Sequence, residues 1–340
     1  MIRIGLIGYG YWGPKLLRNF LAVPGAEVAM VVDLAAGQID TLAQSHPRLL
    51  TALDPDALIA DASIDAVVIA TPVESHFELA LAALKAGKHV WLEKPMAASP
   101  GQALALIEAA ERHGRVLMVD HTTVYASETR ALKELLAADE LGRVLYYDSM
   151  RSSLGLVRSD ANVIADLAVH DFALLDYLFS ERPMSVSACG IGHFDGMPEN
   201  IAYVTLHYSS GAIAHVNTSW VSPVRVRRVL IGGSRRMALW DDDASTGTLR
   251  VHEAGVDVSP MEAGPPSVLY RQGEAWMPPL DTAEALQVAA RHFADCIRSG
   301  RTPVTDGRFG LRMVDLAEKA TVSLRSNGTP VWLDGAGGAR

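Results

Sequence analysis

Apolar residues along the first 120 positions alternate between two patterns. Residues 3–7, 27–33, 66–70, 89–92 and 116–119 are short, nearly unbroken apolar runs, the signature of strands buried on both faces. Between them apolar positions recur every three or four residues. In 14–21 this spacing puts Leu16, Leu17, Phe20 and Leu21 on one helical face. Residues 37–45, 55–60 and 75–86 also read as helices, and another opens at Ser99-Pro100, the serine as cap and the proline in the first turn. This strand–helix alternation predicts a doubly wound parallel sheet.

After His121 the pattern changes. A helix over 127–136, a strand over 144–149 and a long helix over 162–179 are followed by strands at 184–190, 202–208, 212–220, 226–231, 236–240 and 249–252. Turn signals such as Ser210-Gly211 and Gly232-Gly233 separate them. Strands in series predict a largely antiparallel open sheet. Residues 255–280, rich in glycine and proline, read as a loop, and helices over 282–299 and 307–326 close the chain.

A chain of 340 residues, 49% hydrophobic, has material for two packed cores. The expected division is an α/β nucleotide-binding domain over 1–122, a second α/β domain over 123–334 for substrate, and a frayed tail over 335–340. The formal net charge of −9 argues against nucleic acid as a partner. No apolar stretch reaches the roughly 20 residues that span a bilayer, so no membrane partner is expected. Residues 1–7 run straight into a glycine-rich turn with no cleavage site, and read as a strand rather than a targeting segment. Cys189 and Cys296 match no metal-ligand spacing and form no disulfide framework, which leads us to expect no metal and a cytoplasmic location.

Gly8-Tyr9-Gly10-Tyr11-Trp12-Gly13 has the spacing G-x-G-x-x-G between a buried strand and a helix. Gly8 permits the tight turn, Gly10 lets the backbone approach a pyrophosphate, and Gly13 lets helix and strand pack closely. The helix N-terminus then offers its amides and dipole to phosphates, so this Rossmann-type loop, including Tyr11 and Trp12, is the candidate dinucleotide cradle. Asp33 ends the second strand; a carboxylate there accepts hydrogen bonds from the adenosine ribose and repels a 2′-phosphate, which favours NAD over NADP. Thr71-Pro72 and Glu93-Lys94-Pro95 each follow a buried strand, at the sheet edge that faces ligands in this architecture. An ammonium there can polarise a hydroxyl or carbonyl oxygen, although Lys94 can also be read as a surface lysine in a turn. The Lys94-Pro95 bond is expected to be cis. His76, at the start of the next helix, is either a cofactor contact or an exposed helix residue.

In the second half, Asp166 and His170 are four residues apart, hence on one helical face. A carboxylate beside a histidine tunes it as a base near neutral pH; the alternative is a buried histidine–aspartate pair. Tyr125 and Arg151 are candidates to grip sugar hydroxyls. Arg225, Arg227 and Arg228 could bind a diphosphate or form a solvated strand face.

Together Gly8-x-Gly10-x-x-Gly13, Ala70-Thr71-Pro72, Glu93-Lys94-Pro95 and Asp166…His170 resemble the Gfo/Idh/MocA oxidoreductases over nearly the whole chain. Gly10-Tyr11-Trp12-Gly13-Pro14, Arg18-Asn19-Phe20, the 166–171 segment and Ser219-Trp220-Val221-Ser222-Pro223 resemble the branch that acts on nucleotide-linked sugars, such as UDP-N-acetylglucosamine 3-dehydrogenases. The resemblance implies that Lys94 contacts nicotinamide and the reacting oxygen, that His170 is the general base, and that Asp166 binds substrate and tunes it. It also implies an oligomer, a homodimer or homotetramer, formed on the second domain's open sheet. Two positions depart from that branch: Val169, where many relatives have proline, and Arg225, where lysine is expected. The expected activity is NAD-dependent hydride transfer at a ring hydroxyl, C3 being favoured, of a nucleotide sugar. The alternatives are a free sugar, inositol or aminocyclitol dehydrogenase, a non-catalytic dinucleotide sensor, and NAD-dependent glycoside hydrolysis.

Overall fold

The computed structural model describes residues 1–155, 158–159, 161–242, 248–259 and 266–333; the tail expected over 335–340 lies outside them. The chain forms two compact units, Met1–Tyr125 with Ala283–Asp315, and Ala126–Thr282 with Leu316–Arg340.

The first unit carries β1 (Ile2–Ile7), α1 (Gly13–Leu21), β2 (Ala26–Val32), α2 (Ala36–Ser45), β3 (Leu50–Ala52), α3 (Pro55–Ala60), β4 (Ala66–Ile69), α4 (Val73–Lys85), β5 (His89–Glu93), α5 (Pro100–His113) and β6 (Leu117–Asp120). All six strands are parallel, in the order β3-β2-β1-β4-β5-β6. This is the doubly wound arrangement, whose order reverses beside β1. Every residue of β4 and all but His89 of β5 are buried, as their unbroken apolar runs require. Ser99 caps α5 by accepting from the Gln102 amide, and Gly114 ends it in the left-handed region. β3 escapes a reading of the sequence because three residues are too few to show a period.

A simple cut near residue 122 misses one feature. The segment Ala283–Asp315, containing α8 (Ala285–Ser299) and the start of α9 (Gly307–Arg325), belongs to the first unit. Phe293 of α8 meets Phe20 and Trp91 edge-on, with centroids 6.3 and 5.7 Å away, and Thr305 accepts the Val119 amide on its carbonyl at 2.8 Å.

The second unit contains α6 (Ser127–Ala137), β7 (Val144–Leu154), a π-helical turn (Ile164–Ala168) running into α7 (Val169–Leu178), β8 (Pro183–Ile191), β9 (Ile201–Tyr208), β10 (Ile213–Ser219), β11 (Val221–Gly233), β12 (Met237–Asp241), β13 (Leu249–Ser259), β14 (Ser267–Trp276) and β15 (Val331–Trp332). They form a sheet in the order β14-β13-β12-β11-β7-β10-β9-β8-β15, antiparallel except where β7 meets β10. The loop expected over 255–280 is corrected here: β13 and β14 pair through it from Val251–Trp276 to Ser259–Ser267. Most of β14 is exposed on both faces, so its sequence lacks the apolar alternation that marks a half-buried strand. Its glycine serves close approach, since a Cβ on Gly273 would run into Glu253 on the facing strand.

Candidate active site

In the first unit, Gly8 has a φ of +96° and sits where a Cβ would lie 2.6 Å from the Ala70 carbonyl oxygen. A Cβ on Gly13 would meet the Gly8 carbonyl oxygen at 2.6 Å, whereas one on Gly10 would face open space. The turn is therefore closed behind and open in front, the shape a pyrophosphate needs. Trp12 caps α1 without a side-chain hydrogen bond, which leaves that helix end to an anion. Tyr11 and Trp12 are exposed, and the Lys15 ammonium lies over their rings at 3.7 and 4.3 Å from the centroids. Asp33 is fixed by two amides: Oδ2 accepts from Tyr9 at 2.6 Å and Oδ1 from Ala35 at 2.8 Å. Each oxygen keeps a lone pair for ribose hydroxyls. These residues fit a bound NAD.

Thr71-Pro72 follows β4 and Lys94-Pro95 follows β5, at the same carboxyl edge of the sheet. The Lys94–Pro95 bond is cis. His76 is neither exposed nor free to reach a cofactor. It is 1% exposed, and its Nδ1 and Nε2 lie 2.8 Å from the carbonyl oxygens of Pro95 and Thr71. Burial holds its pKa below the ordinary value although both carbonyls favour the charged form. With a single N–H in the neutral ring, His76 donates to one of these carbonyls and packs against the other loop. We expect His76→Phe, which keeps the volume and abandons the carbonyls, to cost about 2 kcal/mol, read as a lower urea midpoint, and to raise KM for NAD.

Tyr125 is also corrected. Its hydroxyl is shared with Thr305 Oγ1 at 3.1 Å, its ring packs on His292, and it is 5% exposed. A buried, committed hydroxyl does not grip a sugar. Beside it lies a feature the sequence did not announce. Glu93 and Asp120 are register partners at the ends of β5 and β6, and both are buried.

In the second unit, the segment expected as one regular helix begins as a π turn. The Val169 amide reaches back to the Ile164 carbonyl, a bond that proline at this position could not make. The Asn162 side chain starts the turn by accepting from the Ala165 amide at 3.1 Å. Asp166 and His170 are half-buried, and the wider turn shifts them from the face-to-face offset of an α-helix. The indole of buried Trp220 donates to Asp166 Oδ2 at 3.0 Å, and Arg158 lies 3.9 Å from Oδ1. Trp220 thus orients the carboxylate, a role that no spacing in the sequence reveals.

Arg151 is corrected from substrate contact to core. It is 8% exposed and donates from Nε to Asp171 Oδ2 at 3.1 Å, while the Tyr147 hydroxyl donates to Oδ1 at 2.8 Å. Burial and the neighbouring carboxylate push the Tyr147 phenol well above its ordinary range. The three arginines of β11 do not form one cluster. Arg228 bonds Asp241 Oδ2 from Nε and Nη2 at 2.9 and 2.7 Å, whereas Arg225 and Arg227 lie 3.8 and 3.9 Å from Asp242. Strand alternation puts Arg228 on the opposite face from the other two.

A dinucleotide cradle on a doubly wound sheet, with an open mixed sheet in a second unit, defines a two-unit oxidoreductase. Family models agree: residues 2–121 match the NAD-binding Rossmann fold of the oxidoreductase family GFO_IDH_MocA, and residues 129–238 match the GFO/IDH/MocA C-terminal domain. The chain belongs to the Gfo/Idh/MocA oxidoreductases, and its N-terminal unit is an NAD-binding Rossmann domain. It is 29% identical to UDP-N-acetylglucosamine 3-dehydrogenase of Acidithiobacillus ferrooxidans over 96% of this chain and 98% of that protein. It is 26% identical to scyllo-inositol 2-dehydrogenase (NAD(+)) of Bacillus subtilis over 98% of this chain and 96% of that one. Among solved structures, the Acidithiobacillus ferrooxidans enzyme matches with a TM-score of 0.79 at 27% identity, covering 96% of this chain and 98% of its own. Among the described residues, no helix is long and apolar enough to cross a membrane.

Proposed function

We propose that the protein oxidises a ring hydroxyl, C3 being favoured, of a nucleotide-linked sugar, or reduces the corresponding ketone. The observation that carries this reading is the position of Lys94: half-buried, on the carboxyl edge of the sheet that also holds the Gly8–Gly13 turn and Thr71-Pro72. Bound NAD supplies the hydride acceptor. Lys94 stabilises charge on the reacting oxygen, and His170 takes the hydroxyl proton on a ring nitrogen as the carbon–oxygen double bond forms. Asp166, held by the Trp220 indole, binds a substrate hydroxyl and orients His170. In the reverse direction the same groups return the proton. Arg225 and Arg227, on the face of β11 opposite Arg228, are the candidate contacts for a diphosphate.

Support for the nucleotide comes from the full-length likeness to the UDP-N-acetylglucosamine enzyme. A second reading, a free inositol or sugar, is supported by the inositol dehydrogenase relative and by the bidentate commitment of Arg228 to Asp241. UDP-sugars, dTDP-sugars, free sugars and inositols, each mixed with NAD, separate them by absorbance of reduced nicotinamide. Turnover with a UDP-sugar, weakened about tenfold or more in KM by Arg225→Ala, supports the first reading. Turnover with free polyols alone supports the second.

Asp33→Ala is expected to weaken NAD about tenfold, because it removes a charged acceptor of ribose hydroxyls, and to narrow the preference over NADP. Titration of cofactor binding by tryptophan fluorescence checks both.

A further inference from the structure

The ends of β5 and β6 bring two buried carboxylic acids together next to Lys94. Glu93 and Asp120 are 7% and 3% exposed and directly paired in register. Glu93 Oε1 and Asp120 Oδ2 are buried with no hydrogen-bond partner among the described residues, and two carboxyl groups buried side by side cannot both ionise, so one of them keeps a proton. Thr122 Oγ1 donates to Asp120 Oδ1 at 2.7 Å, which favours the charge on the aspartate. Neither of the neighbouring groups His121 and Tyr125 is a cation. His121 is 1% exposed, and burial together with the Lys94 charge lowers its pKa to about 3, so it is neutral. Tyr125 is held neutral, its pKa raised by burial and then by the Asp120 charge. The Lys94 charge favours ionised Glu93 and Asp120 and disfavours a charged His121.

We infer that Glu93 and Asp120 share one proton, and that the single negative charge left on the pair is the buried counter-ion that orients the Lys94 ammonium, which makes both acids positioning residues for the reaction. The inference rests on the catalytic role proposed for Lys94. It assigns Glu93 a place behind the lysine rather than a side-chain contact with the dinucleotide.

The chemistry of the pair fits this arrangement. Burial raises Asp120 to about 6, and burial reinforced by the Asp120 charge raises Glu93 well above the carboxylate range. Above about pH 6 the pair therefore carries one charge and one proton. The effect on stability has a definite sign. A carboxyl whose folded pKa is raised holds its proton to a higher pH than in the unfolded chain, so ionising it costs stability as pH rises through about 6. Removing that charge should spare the fold while harming the reaction.

Two measurements on the full-length protein test this. Carbon-13-labelled aspartate, with the Asp120 resonance assigned from Asp120→Asn, should titrate near pH 6 in the wild type. The midpoint should move upward in Lys94→Met, because the lysine charge favours the ionised form. Next, Asp120→Asn, which keeps an acceptor for Thr122, should lower kcat about a hundredfold through misplacement of the ammonium, while its urea midpoint at pH 8 equals or exceeds that of the wild type. Glu93→Gln should lower kcat in the same way. An Asp120 midpoint indifferent to Lys94, or an Asp120→Asn enzyme of full activity, would overturn the inference. So would a loss of activity matched by a loss of stability. If Lys94→Met is fully active while the Asp120 midpoint still rises, the coupling stands and the catalytic reading of Lys94 falls.

Discussion

Replacement of His170 by alanine is expected to lower kcat by about a hundredfold to ten-thousandfold, the range associated with loss of a positioned general base. Lys94→Ala should lose about a hundredfold to a thousandfold, as for removal of a donor to a developing oxyanion. The two losses should not add fully, because both groups serve one proton-and-hydride event. KM for NAD should change little in His170→Ala, since the cradle is built from the Gly8–Gly13 turn and Asp33. Urea midpoints should stay close to wild type, because both side chains are only half-buried. Steady-state kinetics on the substrate found in the panel, paired with urea titration, checks both halves of the expectation. A His170→Ala enzyme within about tenfold of wild type would assign the proton to another group.

Arg151→Met is expected to do the opposite. It leaves the Asp171 carboxylate, 1% exposed at the side chain, with Tyr147 as its remaining described partner. Removing one member of a buried ion pair costs about 3–5 kcal/mol, because the other charge stays in the interior uncompensated. The variant should unfold at markedly lower urea, or fail to accumulate as folded protein. Asp171→Asn, which keeps the shape and an acceptor, should lose less. If Arg151→Met were as stable as wild type but raised KM for substrate, Arg151 would be a substrate contact after all. These two variants separate chemistry from architecture in neighbouring residues: His170 is the proposed base, and Asp171 is bonded to Tyr147 and Arg151 of the sheet.

The same pair shows what the sequence discloses and what it withholds. The apolar runs of β1, β2, β4 and β5 fixed the Rossmann sheet, because strands buried on both faces have no choice of residue. The G-x-G-x-x-G spacing is local, so the turn it specifies, including the left-handed Gly8, was legible. The side chains of His76, Tyr125 and Arg151 were visible as chemistry, but their partners Thr71, Thr305 and Asp171 lie 5, 180 and 20 residues away. Only tertiary register reveals that those polar groups are already committed. β7 holds the clue for Arg151 in hindsight. Tyr147, Ser149 and Arg151 alternate inward and are all buried, and an inward arginine needs a carboxylate. The Glu93–Asp120 pair was hidden for the same reason: two acids 27 positions apart meet only through the parallel register of β5 and β6. β14 escapes a reading of the sequence because a strand exposed on both faces carries no periodic signature, and the π turn because the apolar pattern around Val169 is that of an ordinary helix.

The proposed reaction passes a hydride from a ring carbon to NAD while the protein takes the proton. The most direct measurement uses the substrate identified in the panel, deuterated at the carbon that carries the reacting hydroxyl. Deuterium is expected in the reduced dinucleotide, in stoichiometry with the ketone formed, and its transfer should slow in His170→Ala and Lys94→Ala by the factors given above. Deuterium released to water, or a product formed with no net change in the dinucleotide, would contradict it.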